Sequence, residues 1–177
     1  MMTTLNINLH ELIYSLSDAL DLVGVVQIHH GKRVGFMAAE CGKHMGLDSH
    51  TLDSLFQAAI LHDCGVSNTS VHARLAQFEW EQVHGHCEIG AGLLGITPPL
   101  AHISDVILHH HTHWTKLKEM DLPEEVALMA NLIFLVDRVD VLSLHAQVKD
   151  ANILLGMDEV NAKIVEKSGS WFNPDLV

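Results

Sequence analysis

Residues 52–65 read Leu52-Asp53-Ser54-Leu55-Phe56-Gln57-Ala58-Ala59-Ile60-Leu61-His62-Asp63-Cys64-Gly65. At helical phase Leu52, Phe56, Ala59 and Asp63 form one row, and Leu55, Ala58 and His62 form its neighbour. An imidazole and a carboxylate thus complete an otherwise apolar face. A carboxylate on a core row is costly unless a cation or a metal ion meets it. The stretch predicts a helix, capped by Asp48 or Ser49 and ending at Gly65, whose polar end is buried for a reason.

Helical periodicity continues outward in both directions. Helices are expected over residues 9–22, 27–45 with Gly46 as a left-handed stop, 71–77, 79–94, 100–113, 123–146 and 157–167, with a loop at 66–70 and a polar connection after 113. Pro123 followed by Glu124 and Glu125 fits a first-turn proline with acidic neighbours. No segment alternates with a two-residue period. The chain reads as all-α, one compact domain over residues 1–177 with about seven to eight helices and a metal site in its core.

The polar intrusion at His62 and Asp63 recurs. His30 lies on the stripe of Val26, Val34, Met37 and Cys41, and His86 on that of Val83, Ile89 and Leu93. His110 and His111 follow Ile103 and Ile107 and precede Trp114. Asp137 follows Val126, Ala130 and Ile133, with Asp140 three residues on. A single inward His is ordinarily a hydrogen-bonded core residue, and an inward Asp can pair with Arg33, Arg74 or Arg138. Five His and two Asp exceed what one small core satisfies that way. His30, His62, Asp63, His86, His110, His111 and Asp137 are therefore read as a metal site. Its nitrogen and oxygen donors suit Fe, Mn, Zn, Ni or Co. His29, His84, His109 and His113 point elsewhere by phase or by loop position.

Composition bounds the rest. The 177 residues include 15 His, and 22 acidic side chains against 10 Lys and Arg give a net charge of -12. That balance argues against duplex nucleic acid as a partner. The longest apolar stretch, 126–136, is interrupted by Asn131 and ends at Asp137-Arg138, too short and too charged to span a bilayer. The N-terminus lacks a basic segment followed by an apolar run, so a cytoplasmic location is expected. Cys41, Cys64 and Cys87 fit neither a disulfide framework nor a CxxC zinc site.

The order H…HD…H…HH…D resembles the ligand pattern of the HD superfamily of metal-dependent phosphohydrolases, most fully its HD-GYP branch. His30-Gly31-Lys32-Arg33-Val34 is similar to H-x-x-R-V, and Ala59-Ile60-Leu61-His62-Asp63-Cys64-Gly65 to A-x-L-H-D-x-G. Glu79-Trp80 with His86-Cys87-Glu88-Ile89-Gly90 is similar to E-W…H-P-E-I-G. His110-His111-Thr112-His113-Trp114 is similar to H-H-E-R-W, and Asp137-Arg138-Val139-Asp140 to D-V-F-D. The closing Phe172-Asn173-Pro174-Asp175-Leu176-Val177 is similar to F-D-P-x-L-V.

The resemblance implies a phosphodiesterase acting on a cyclic dinucleotide, cyclic di-GMP or a related nucleotide or phosphoester. His62 and Asp63 would be catalytic, with Asp63 between two divalent ions, Fe or Mn in the family. Val26 stands where three-metal members carry Glu, which implies two ions. Val66 stands where a Lys would meet phosphate, Thr115 to Met120 replace D-G-x-G-Y-P, and Lys149 remains as the basic residue for substrate. The alternative is a catalytically degenerate, metal-loaded signalling or ligand-binding module. Family members often continue into a further helix, so residues 1–177 are read as the N-terminal part of a longer signalling protein, with a homodimer or additional signalling domains as the partners expected.

Overall fold

The computed structural model describes residues 6–22, 29–66, 84–149 and 153–177, of which 84, 146–149 and 153–155 are described by backbone alone. They form eight α-helices: α1 Leu9–Asp21, α2 His30–His44, α3 Ser49–Leu61, α4 His84–Gly95, α5 Ser104–His109, α6 Trp114–Leu117, α7 Glu124–Lys149 and α8 Ile153–Glu166. Short 3-10 turns occupy Ala101–Ile103 and Pro174–Leu176. There is no strand among the described residues, so the all-α expectation holds. The expected helix at 71–77, the starts of those at 27–45 and 79–94, and Val26 lie outside the described residues.

The helix starts follow local chemistry. The Asn8 side chain accepts from the His10 and Glu11 amides to begin α1, and the Asp48 carboxylate accepts from the His50 and Thr51 amides to begin α3. Gly46 adopts φ 76° after α2, the left-handed stop expected there.

Helix α2 lies unusually close to α3 because its facing stripe is small: Gly31, Gly35, Ala38 and Gly42. A Cβ at Gly31 would sit 2.6 Å from the Ile60 carbonyl oxygen, and one at Gly35 2.6 Å from Ile60 Cγ1. This approach brings His30, at the start of α2, beside the end of α3. The main core joins Val34 and Ala38 of α2, Leu55 and Ala59 of α3, Ile107 of α5 and Ala130 and Ile133 of α7. A second cluster packs Phe134 and Leu142 of α7 against Val160 and Ile164 of α8 and Phe172.

Two expected helices stop early, for one physical reason. Helix α3 ends at Leu61 rather than Gly65, and the 100–113 helix resolves into a 3-10 turn and α5, leaving His110 and His111 in a turn. His62 Nδ1 lies 2.9 Å from the Ala59 carbonyl and His110 Nδ1 lies 2.6 Å from that of Ile107. Each ring occupies a carbonyl that would otherwise take the helical amide four residues on. A short helix, α6, also stands where a polar connection was expected.

The stripe predicted on α4 needs correcting. His86 is buried, but Ile89 and Leu93 are each half exposed; the buried face continues through Cys87, Gly90, Ala91 and Leu94. It is centred between His86 and Cys87, so steps of three from His86 drift off it.

Asn131, the polar break in the apolar run of α7, ties down the C-terminal segment. Its Nδ2 donates to the Trp171 carbonyl at 2.9 Å and its Oδ1 accepts from the Asn173 amide at 2.7 Å. Asn131→Leu leaves the Asn173 amide unpaired, at about 1–3 kcal/mol, while the Trp171 carbonyl keeps the Trp114 amide as a donor at 2.9 Å. A fall in Tm of about 2 °C or more is expected, since 1 kcal/mol shifts Tm by about 2–4 °C at this size. Thermal melts followed by circular dichroism check it, and an unchanged Tm would contradict the tether.

Candidate metal centre

The ends of α3 and α5 and the starts of α2 and α4 meet against the middle of α7. Each contributes a residue to one buried cluster, so the groups predicted to converge do so. His30 Nε2 lies 3.3 Å from Asp137 Oδ1 and 3.9 Å from Asp63 Oδ2, and His62 Nε2 lies 3.4 Å from Asp63 Oδ2. On the other side, His86 Nε2 lies 3.3 Å from Asp63 Oδ1 and His110 Nε2 lies 4.0 Å from it. Two donor groups result, His30-His62-Asp63 and Asp63-His86-His110-His111, each with its donor atoms within 4.8 Å of one another. Asp63 belongs to both.

Asp137 touches the first group through Oδ1. Its Oδ2 is held by Arg138, which donates from Nη2 at 2.7 Å, and lies 4.0 Å from His111 Nε2. The Arg pairing considered for an inward Asp is therefore real at Asp137, alongside its contact with His30. The Lys149 side chain lies outside the described residues. His113 stacks on Trp171 with ring centroids 4.7 Å apart, away from the cluster as its loop position predicted.

Ring orientation is fixed from behind. The carbonyls of Ala59 and Ile107 engage Nδ1 of His62 and His110, and Asp140 Oδ2 lies 2.8 Å from His30 Nδ1. Each contact directs Nε2 inward. Asp140 is itself gripped by Arg33, whose Nε and Nη2 donate to its two oxygens at 2.7 and 2.8 Å. The roles of Asp140 and Arg33 escaped the sequence reading. A signal was present: each stands three residues after a site residue, Asp137 and His30.

The electrostatics suit a cation. Burial pushes His30 down, but its pairings with Asp137 and Asp140 outweigh this and raise its pKa to about 10. The carboxylates that hold a proton there would equally attract a metal ion. Burial opposes ionisation of Asp63, yet His62 and His86 hold its carboxyl well below the usual range. Burial, with His86 and His62 adding to it, pushes His110 down to about 3, leaving it neutral with Nε2 free to donate a lone pair. His62 Nε2 and Asp63 Oδ1 are buried with no hydrogen-bond partner among the described residues. Orphaned lone-pair atoms, one in each donor group, are what metal ions satisfy, and the His/Asp cluster fits a metal site.

Access comes from one side. The Asp63 side chain keeps 16% of its surface accessible, against 1% for His62 and 2% for Asp137. It opens into a pocket also bordered by Ser17 and Leu20 of α1, Gly31 and Val66. Val66, where the resembling enzymes carry Lys, is buried beside this opening.

Asp140→Ala frees the His30 ring, and losing such an orienting contact lowers metal affinity by about 10–100-fold. Competition with a chelator measures it. An unchanged affinity would show that His30 needs no such support.

An all-helical scaffold with a buried His/Asp cluster divided about one aspartate defines the class, and the chain belongs to the HD domain family, whose model matches residues 28–142. Among particular proteins, it is 38% identical over 175 residues to 3'3'-cGAMP-specific phosphodiesterase 1 of Vibrio cholerae serotype O1, covering 97% of this chain and 41% of that protein. Its fold matches the crystal structure of a cyclic GMP-AMP specific phosphodiesterase of V. cholerae with a TM-score of 0.69 at 21% identity, over 95% of this chain and 46% of that one. The chain thus spans less than half the length of either protein. No described helix is long and apolar enough to cross a membrane.

Proposed function

We propose that residues 1–177 act as one HD domain that hydrolyses a phosphodiester bond of a cyclic dinucleotide, using two divalent metal ions. The observation that carries this reading is the shared carboxylate: Asp63 offers Oδ2 to His30 and His62 and Oδ1 to His86 and His110. One carboxylate serving two donor sets is the arrangement a pair of ions requires. The substrate class is supported by the 38% identity to a 3'3'-cGAMP-specific enzyme. We take 3'3'-cGAMP as the first substrate to test and cyclic di-GMP as the second.

Bound ions would supply a water of lowered pKa and neutralise phosphate charge. Asp63 and His62 are the residues assigned to the chemistry. Asp63, ionised and turned to the pocket, can accept a hydrogen bond from the attacking water. His62, its Nδ1 engaged by the Ala59 carbonyl, presents Nε2 inward 3.4 Å from Asp63 Oδ2, where it would donate a lone pair to an ion held beside that carboxylate. His30, His86, His110, His111 and Asp137 complete the donor set. Water adds to phosphorus, the bond to the departing ribose oxygen breaks, and that oxygen leaves with a proton as a free hydroxyl, giving a linear dinucleotide. Lys149 is assigned to a substrate phosphate. Fe or Mn is the expected metal pair, and a cytoplasmic site of action is expected.

A specific observation favours a second reading. Val66 places an apolar side chain beside the pocket where a phosphate-binding Lys would stand, which suits a module that binds nucleotide without turnover. Metal-reconstituted protein incubated with 3'3'-cGAMP or cyclic di-GMP, with linear products separated by chromatography, decides between the two. The hydrolase reading expects linear product that disappears in His62→Ala. Nucleotide binding with no product would replace it by the second reading.

A further inference from the structure

The second donor group has a neighbour that no recurring His/Asp pattern includes. Cys87 follows His86 on α4 and is fully buried, and its Sγ lies 3.7 Å from His86 Nε2 and 4.0 Å from His110 Nε2. Those two nitrogens lie 3.3 Å apart, and Asp63 Oδ1 lies 3.3 Å from the first and 4.0 Å from the second. Zinc-type bonds of about 2.0–2.1 Å to nitrogen and 2.3 Å to sulfur at tetrahedral angles set ligand-to-ligand edges of roughly 3.3–3.6 Å. The five observed separations, 3.3–4.0 Å, reach from these edges to somewhat beyond them. Asp63 Oδ1 is moreover a buried acceptor with no partner among the described residues. The motif that His86 to Gly90 resembles has Pro in the place of Cys87, so the thiol is a feature of this chain.

We propose that Cys87 is a thiolate ligand beside His86, His110, His111 and Asp63, making that half of the site sulfur-bearing while the His30-His62 half has only nitrogen and oxygen donors. The inference rests on the metal reading of this site and deepens it. Ligation forms a metal–sulfur bond, and the thiol proton leaves to solvent. A soft donor favours iron, zinc or cobalt over manganese at this position. The two halves therefore differ in metal preference, with the harder ion held by His30 and His62.

Anaerobic loading with Co2+ tests this, because a thiolate ligand gives a near-ultraviolet sulfur-to-cobalt charge-transfer band that nitrogen and oxygen ligands do not. The band is expected in the native protein and in the Cys41→Ser, Cys64→Ser double variant, where Cys87 is the only cysteine left of three. It is expected to vanish in Cys87→Ser, with Co2+ affinity lowered roughly tenfold or more, since even indirect contacts to ligands are worth about that much. The double variant keeps Cys87 untouched, so a fold defect in Cys87→Ser leaves the test standing. Bound cobalt without the band, or a band that survives Cys87→Ser or is lost in the double variant, overturns the proposal while leaving the metal site intact. Failure to bind cobalt at all overturns both.

Discussion

Asp63→Asn is expected to abolish loading of the metal pair and to lower phosphodiester hydrolysis by more than about a hundredfold. Asn keeps the volume of Asp but removes the charge, and its amide nitrogen cannot donate a lone pair. One of the two donor sets must lose its shared oxygen, whichever way the amide turns. Removing an orienting residue behind a ligand already costs about 10–100-fold in affinity or activity, so losing the shared ligand exceeds that. The metal-free protein is expected to lose stability as well. His62 and His86 hold the Asp63 carboxyl ionised, well below its usual range, so neutralising it removes an attraction that outweighs its desolvation cost and leaves the imidazoles facing one another without a counter-charge. Elemental analysis of the reconstituted variant, a chromatographic turnover assay and a thermal melt separate these effects. Full occupancy by two ions would show that Asp63 is not shared.

Gly65→Ala is expected to be the most damaging single methyl group in the chain. A Cβ at Gly65 would sit 2.0 Å from the His86 carbonyl oxygen and 2.5 Å from the Gly90 amide nitrogen. Both neighbours are backbone, which cannot swing aside as a side chain could. Helix α4 must move away from the end of α3, carrying His86 and Cys87 with it. Overpacking of this kind costs about 3 kcal/mol or more, a fall in Tm of about 6–12 °C. Metal affinity should drop with it, because the two halves of the second donor group sit on the elements forced apart. Gly92→Ala is the control: it lies on the same helix with open space at its Cβ. That change should stabilise by about 0.5–1 kcal/mol through helix propensity. Equal melting of the two variants would refute the close approach.

Gly65 shows how sequence and structure divide the information. As a residue after His62 and Asp63 it reads as a helix stop, and its placement near the helix end is legible. Its backbone is not left-handed in the structure. The need for glycine comes from another helix passing within contact distance, and no local rule carries that.

The all-helical class, a scale of about seven to eight helices and the inward placing of His30, His62, Asp63, His86, His110, His111 and Asp137 are legible in the residues alone. Periodicity and the price of burying polar groups are local properties, and each residue declared itself on its own stripe. Packing settles which of these groups meet: the two oxygens of Asp63 face separate donor sets, Arg33 grips Asp140 and through it orients His30, and Cys87 stands beside His110. These are distances between elements remote along the chain. The rows around His86 drifted off the true buried face for the same reason: which arc of a helix is covered depends on what packs against it, and α4 meets the end of α3 and α5 along an arc centred between His86 and Cys87.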